Sequence, residues 1–169
     1  AELIGPAFFY VDDDDIVYPT GVAHLLAPLE RDSRLDFANG GLSFFRDVPD
    51  LGRIQVAAPP ITMAETGHHF EALLMNYSMH LNATLIRRHC YQAMGGLDER
   101  FRRSEDYEFM LRLTRRFKGV SVAQRIINVR RHEGARGDAQ VRHSARERNL
   151  VHFDFDARAF EDRKSTRLN

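Results

Sequence analysis

Apolar and polar positions alternate between two periods along this chain. Ala7-Phe-Phe-Tyr-Val11 is continuously apolar and β-prone, then runs straight into Asp12-Asp-Asp-Asp15. That pattern predicts a buried strand with an acidic C-terminal end. Pro19 and Thr20 open a helix with Val22, Leu25, Leu26 and Leu29 on one face. Leu35 to Phe45 has weak β character, interrupted by Asn39-Gly40-Gly41. Pro49 to Gly52 reads as a turn and Ala57 to Pro60 as irregular loop. A second helix is predicted from about Thr66 to Met75, with Phe70, Leu73 and Leu74 inward. Ala83 to Ile86 reads as a short strand, followed by a helical turn carrying Tyr91 and Met94 that Gly95-Gly96 stops.

The strongest helical pattern follows Ser104-Glu105-Asp106. There Tyr107, Met110, Leu111 and Leu113 form the apolar side, Ser104 can cap, and Lys118-Gly119 closes the C-terminus. Val120 to Val129 is rich in β-branched residues and is predicted as strand. Asp138 is placed to cap a last helix reaching about Phe153. Strands and helices mingle throughout, so the fold class is α/β.

Composition narrows the function. The 169 residues fit one domain, and 24 basic against 24 acidic residues leave none of the basic excess of a nucleic-acid binder. No apolar stretch approaches the ~20 residues of a membrane span. A single cysteine, Cys90, cannot form an internal disulfide and reads as a small core residue without a partner. No signal peptide is visible, so a cytoplasmic location is expected, or one peripheral to a membrane in a parent protein.

The C-terminus carries a different kind of signal. Residues 1–153 are expected to hold the domain and 154–169 a polar tail. Within that tail, Asp162-Arg-Lys-Ser-Thr-Arg-Leu-Asn169 is what GAT CGG AAG AGC ACA CGT CTG AAC encodes. That string resembles a widely used sequencing adapter, so residues 162–169 are expected to be an assembly artefact and are set aside from fold reasoning.

Three constellations carry chemistry. Asp12 to Asp15 place four mutually repelling carboxylates after a strand, and a hard divalent cation such as Mg²⁺ would relieve the repulsion; a solvated acidic loop is the plain alternative. Gly95-Gly96-Leu97-Asp98-Glu99 followed by Ser104-Glu105-Asp106-Tyr107-Glu108 joins a permissive loop to carboxylates at a helix start. Those carboxylates serve either helix capping or proton abstraction from a substrate hydroxyl. Arg130-Arg131-His132 ends the last strand, where His132 could ligate metal and the arginines could face phosphates, or the histidine could simply be exposed. His68, His69 and His80 have no ligand-like spacing.

In this order, the motifs resemble family-2 glycosyltransferases of the GT-A fold. The carrying residues are Tyr10-Val-Asp-Asp-Asp-Asp15 with Pro19, Leu85-Ile-Arg-Arg88, Gly95-Gly-Leu-Asp-Glu99, Ser104-Glu-Asp-Tyr107 with Leu111-Arg-Leu113, and Arg131-His132. The resemblance spans about Ala7 to Gly137 and implies the C-terminal portion of a GT-A domain. It implies that Asp12, Asp14 and Asp15, with Arg131, hold a donor diphosphate. Asp14 and His132 would hold Mg²⁺ or Mn²⁺. Asp106 matches the family's catalytic base, and Gly95, Gly96 and Glu105 lie on the acceptor side. The implied partners are a nucleotide-diphosphate sugar and a hydroxyl acceptor, and the implied reaction inverts the anomeric carbon.

One departure is large. The family places a base-binding region before the acidic strand, whereas only eleven residues precede Asp12 here. The chain is therefore expected to be a piece of a longer transferase, cut at both ends. A non-catalytic fragment or acidic binding module is the alternative. A haloacid-dehalogenase-type phosphatase ranks below both, because Asp15-Ile16 stands where that family continues with Gly and Thr or Val.

Overall fold

The structure, a computed structural model, describes residues 5–75, 79–101 and 104–132. The helix expected over 138–153 and the adapter-like tail lie outside the described residues. The strands are β1 (Ala7–Phe9), β2 (Ile16–Val17), β3 (Phe37–Val48), β4 (Gly52–Ala57), β5 (Thr84–Arg87) and β6 (Gly119–Arg130). The helices are α1 (Gly21–Arg31), α2 (His69–Leu74), α3 (Arg88–Met94) and α4 (Glu105–Arg116), with a 3-10 turn over Leu81–Ala83. All six strands form one mixed sheet in the order β1-β5-β3-β6-β2, and β4 pairs with β3 off that path.

β3 organises the sheet. Its first residues, Phe37 to Asn39, pair antiparallel with β5, and its last, Phe44 to Val48, pair antiparallel with β4. Along its other edge it runs parallel to β6. Successive residues of a strand face opposite sides. Phe37 and Ile86 thus enter a core with Leu73, Cys90, Phe109 and Leu113, while Ala38 and Leu85 enter a second core with Leu25, Leu29 and Ile127. Helix α1 therefore covers one face, and α2, α3 and α4 cover the other. Each fully buried Leu, Ile or Phe contributes about 1.5–3 kcal/mol, so these two layers anchor everything that follows.

Several sequence expectations need correction. The Ala7–Val11 run is not a buried strand. Only Ala7–Phe9 is extended, half-buried, and paired on one side with β5. Asn39-Gly40-Gly41 does not interrupt β3 but shifts its register against β6. A Cβ on Gly40 would lie 2.5 Å from the Ile126 side chain, so the glycine permits the bulge at that close approach. Strand β4 lies where no strand was expected, because its residues are almost all exposed and show no buried face. The turn before it holds as expected, with Asp50 and Gly52 both at positive φ.

The helices differ in detail too. Val22 and Leu26 are exposed, leaving Leu25 and Leu29 to bury α1. Helix α2 is shorter than expected, with Leu74 exposed and His69 buried in its place. Ser104 makes no side-chain capping bond; it sits at φ 60°, which turns the chain into α4 instead. Helix α4 ends at Arg116, so Gly119 is not its cap. Gly119 instead starts β6, where a Cβ would lie 2.0 Å from the Phe37 ring.

Candidate active site

The topology brings the three constellations toward one end of the sheet. The chain leaves β1 beside β5 and re-enters the sheet at β2 beside β6. The aspartates therefore bridge from one flank of β3 to the other. Asp15 locks that bridge, with one carboxylate oxygen accepting from the Asn82 side chain at 2.9 Å and the other from the Arg130 backbone N–H at 2.9 Å. The Arg130 guanidinium also reaches the Asp14 carbonyl at 3.2 Å and pairs with Asp47.

With Asp15 engaged in this way, Asp14 meets the end of β6. Its Oδ2 lies 2.6 Å from His132 Nε2. Next to that histidine, the Arg131 N–H donates to the Phe45 carbonyl at 2.6 Å and its guanidinium stacks 4.0 Å over the Phe44 ring. Asp12 is exposed, and its carboxyl is held above the usual carboxylate range, first by partial desolvation and then by Asp15, Asp14, Asp13 and Asp106. A cation among these groups would relieve that accumulated charge.

Asp106 occupies the first turn of α4, exposed, with its Oδ1 accepting from the Tyr107 N–H at 2.7 Å. Its influence on Asp12 joins the second constellation to the first. Glu105 stands beside it at the first position of the helix. Gly95 has φ 77°, the conformation that ends α3, and a Cβ there would meet nothing within 4 Å. Gly96 is different: a Cβ would lie 2.9 Å from the Tyr91 hydroxyl. The Arg112 guanidinium holds this loop, donating to the Met94 and Gly96 carbonyls at 3.0 and 2.9 Å while forming a bidentate pair with buried Glu108. Thus α4 carries both Asp106 and the clamp that fixes the glycine loop beside it.

His80 is a residue that sequence reasoning missed. It is half-buried just before the 3-10 turn, its imidazole pushed below the usual histidine range by burial. Asp106 opposes that effect and Arg131 adds to it, so His80 is within electrostatic reach of both. No spacing in the sequence signals this, because the turn at 81–83 and the neighbouring packing create it.

The donor set suits a hard cation. Mg²⁺ characteristically takes one or two carboxylates and completes its shell with water and substrate phosphate. Asp12 and Asp14 offer the carboxylates of such a set, while His132, in contact with Asp14, offers an imidazole nitrogen that lies outside it. Among the described residues, the acidic loop does not bring three His, Cys, Asp or Glu donors within 4.8 Å of one another; that occurs at Asp36, His89 and Cys90.

A mixed sheet covered on both faces, with an acidic loop and a carboxylate-bearing helix start at one end, defines an α/β domain. The model of the glycosyltransferase-like family 2 matches residues 44–136, more than half of the chain, and the protein belongs to that family. Glycosyl transfer is the general chemistry that membership assigns. The matched segment contains Gly95, Gly96, Glu105, Asp106, Arg131 and His132, whereas Asp12 to Asp15 precede it. No curated protein matches the chain. Among the described residues, no helix is long and apolar enough to cross a membrane.

Proposed function

We propose that this domain transfers a sugar from a nucleotide-diphosphate donor to a hydroxyl acceptor, with inversion, assisted by Mg²⁺ or Mn²⁺ at Asp14 and His132. The observation that carries the reading is the 2.6 Å contact between Asp14 and His132, which joins the acidic loop to the end of β6. The charge coupling of Asp12 to Asp106 supports it further. When bound, the cation supplies neutralisation of the negative charge that develops on the departing diphosphate. Asp12 and Asp14 orient the donor, and Arg131, stacked on Phe44, presents a cation toward its phosphates. Asp106 takes the proton from the acceptor hydroxyl as that oxygen attacks the face opposite the leaving group. Arg112 keeps the Gly95-Gly96 loop in register with that base.

The test is a divalent-cation titration of transfer across a panel of nucleotide-diphosphate sugars, using full-length protein. Activity should vanish on chelation and return with Mn²⁺ or Mg²⁺. Asp14→Asn and His132→Ala should each raise the cation concentration needed for half-activity at least tenfold. Transfer that survives chelation, with cation response unchanged in both variants, would remove the metal from the reading.

A further inference from the structure

The opposite end of β5 holds a second set of donors, with no part in the transferase reading. Asn82, which touches the acidic loop, lies just before β5; His89 and Cys90 lie just after it, in the first turn of α3. There His89 Nε2 lies 2.9 Å from Asp36 Oδ1 and 3.4 Å from Cys90 Sγ. Asp36, His89 and Cys90 thus offer an oxygen, a nitrogen and a sulfur, all within 4.8 Å of one another.

We infer that Asp36 Oδ1, His89 Nε2 and Cys90 Sγ form a binding site for one thiophilic divalent cation, Zn²⁺ by chemistry, with its fourth position open to solvent. The donor types are those of zinc. Bonds of ~2.3 Å to sulfur and ~2.0 Å to nitrogen at a tetrahedral angle set the S···N edge at about 3.5 Å; here it is 3.4 Å. The matching O···N edge is about 3.3 Å, so the 2.9 Å contact opens by a few tenths of an ångström as the cation replaces its hydrogen.

The surroundings hold the donors in place. Asp36 Oδ2 accepts from the Lys118 N–H at 2.8 Å, which fixes the carboxylate and leaves Oδ1 facing the histidine. The Phe117 ring packs edge-on against His89. Cys90 is fully buried while the His89 side chain is half-exposed, so the cation has an inner soft ligand and an outer path to water. Arg87, the nearby guanidinium, is already committed to the Leu29 and Leu35 carbonyls. Burial, and then Asp36, push the Cys90 thiol up to about 12, so it keeps its proton without a cation. Binding forms the metal–sulfur bond and releases that proton to water. The site ties the start of β3 to the start of α3, positions 53 residues apart in the chain.

The test uses the whole chain, stripped with chelator and titrated with Co²⁺ and then Zn²⁺. One equivalent of Co²⁺ should produce a thiolate-to-cobalt charge-transfer band, which one equivalent of Zn²⁺ abolishes. Cys90→Ala should remove the band, and His89→Ala should weaken Co²⁺ affinity at least tenfold. Asp14→Asn and His132→Ala should leave the band intact, which separates this site from the one beside the acidic loop. A missing band in the parent chain, or a band that survives Cys90→Ala, overturns the proposal. Should Cys90→Ala fail to fold, His89→Ala decides: unchanged Co²⁺ affinity in that variant overturns it equally.

Discussion

One nitrogen of Arg112 donates to the Gly96 carbonyl at 2.9 Å and to Glu108 at 2.6 Å. The side chains of this ion pair are nearly buried, at 16% and 5% exposure, so each charge depends on the other. Removing one partner of a buried pair typically costs ~3–5 kcal/mol, because the survivor is left unpaired. Arg112→Met should therefore destabilise the domain by about that much in urea titration. The double variant Arg112→Met/Glu108→Gln should be less destabilised than the two single losses added together. Additive losses would mean that the pair is not coupled.

Asp106→Asn separates capping from chemistry. The amide oxygen of Asn can still accept from the Tyr107 N–H, so stability should fall by at most about 1 kcal/mol. Loss of a general base lowers turnover by ~10²–10⁴-fold. Steady-state kinetics on the full-length enzyme should show a kcat loss in that range with donor KM nearly retained. Near-normal kcat with a lowered melting temperature would make Asp106 structural.

Acid should weaken the fold through His69. The imidazole is buried against Phe37, near Ser121 Oγ at 3.1 Å, and burial, aided by His68, lowers its pKa to about 4. An unfolded histidine titrates near 6.5, so between about 6.5 and about 4 the unfolded chain binds the extra proton. The stability from this group is complete above that window and is lost as pH falls through it, at up to ~1.4 kcal/mol per pH unit. Melting curves for the parent and His69→Leu should differ in slope across this window and run parallel above it. Parallel curves throughout would remove His69 from the acid response.

Gly119→Ala tests the close packing under β6. The new methyl would overlap the Phe37 ring, which is fully buried. Overpacking of this kind costs about 1–3 kcal/mol. The urea midpoint should drop with the m-value unchanged. An unchanged midpoint would show that the ring yields freely.

Where the sequence was legible, a strong period or a special residue carried the signal. Helix α4 and strand β6 stand within two residues of expectation, because β-branched and helix-periodic runs of a dozen residues leave little ambiguity. The β3–β4 turn showed itself through Asp50 and Gly52. Strand β4 did not, since an exposed edge strand has no buried face to reveal. Ser104 looked like a cap by residue type, but capping depends on backbone direction, and at φ 60° its hydroxyl makes no such bond.

The site divides the same way. Local motifs marked Asp14 and His132 one at a time, the family resemblance paired them, and the fold sets them 2.6 Å apart. Asp15 appears in the sequence as one of four equal carboxylates, yet its oxygens are both committed to Asn82 and Arg130. His89 and Cys90 carried no signal as a pair, because their third partner, Asp36, lies just before β3, 53 residues from His89. Cys90 lies in the core as expected, and there its sulfur also meets His89 Nε2 and the Asp36 carbonyl.

The bonds that close the acidic loop also span most of the described chain. Asp14 and His132 are separated by 118 residues, and Asp15 and Arg130 by 115. Contacts that distant are among the slowest to form, since the intervening chain must be organised before its ends can meet. During synthesis from the N-terminus, the aspartates emerge more than a hundred residues ahead of Arg130 and His132. Until β6 docks beside β3, four carboxylates stand together without the histidine and backbone N–H that receive them. Completion of this site therefore depends on β6 pairing with β3, a meeting of distant parts of the chain.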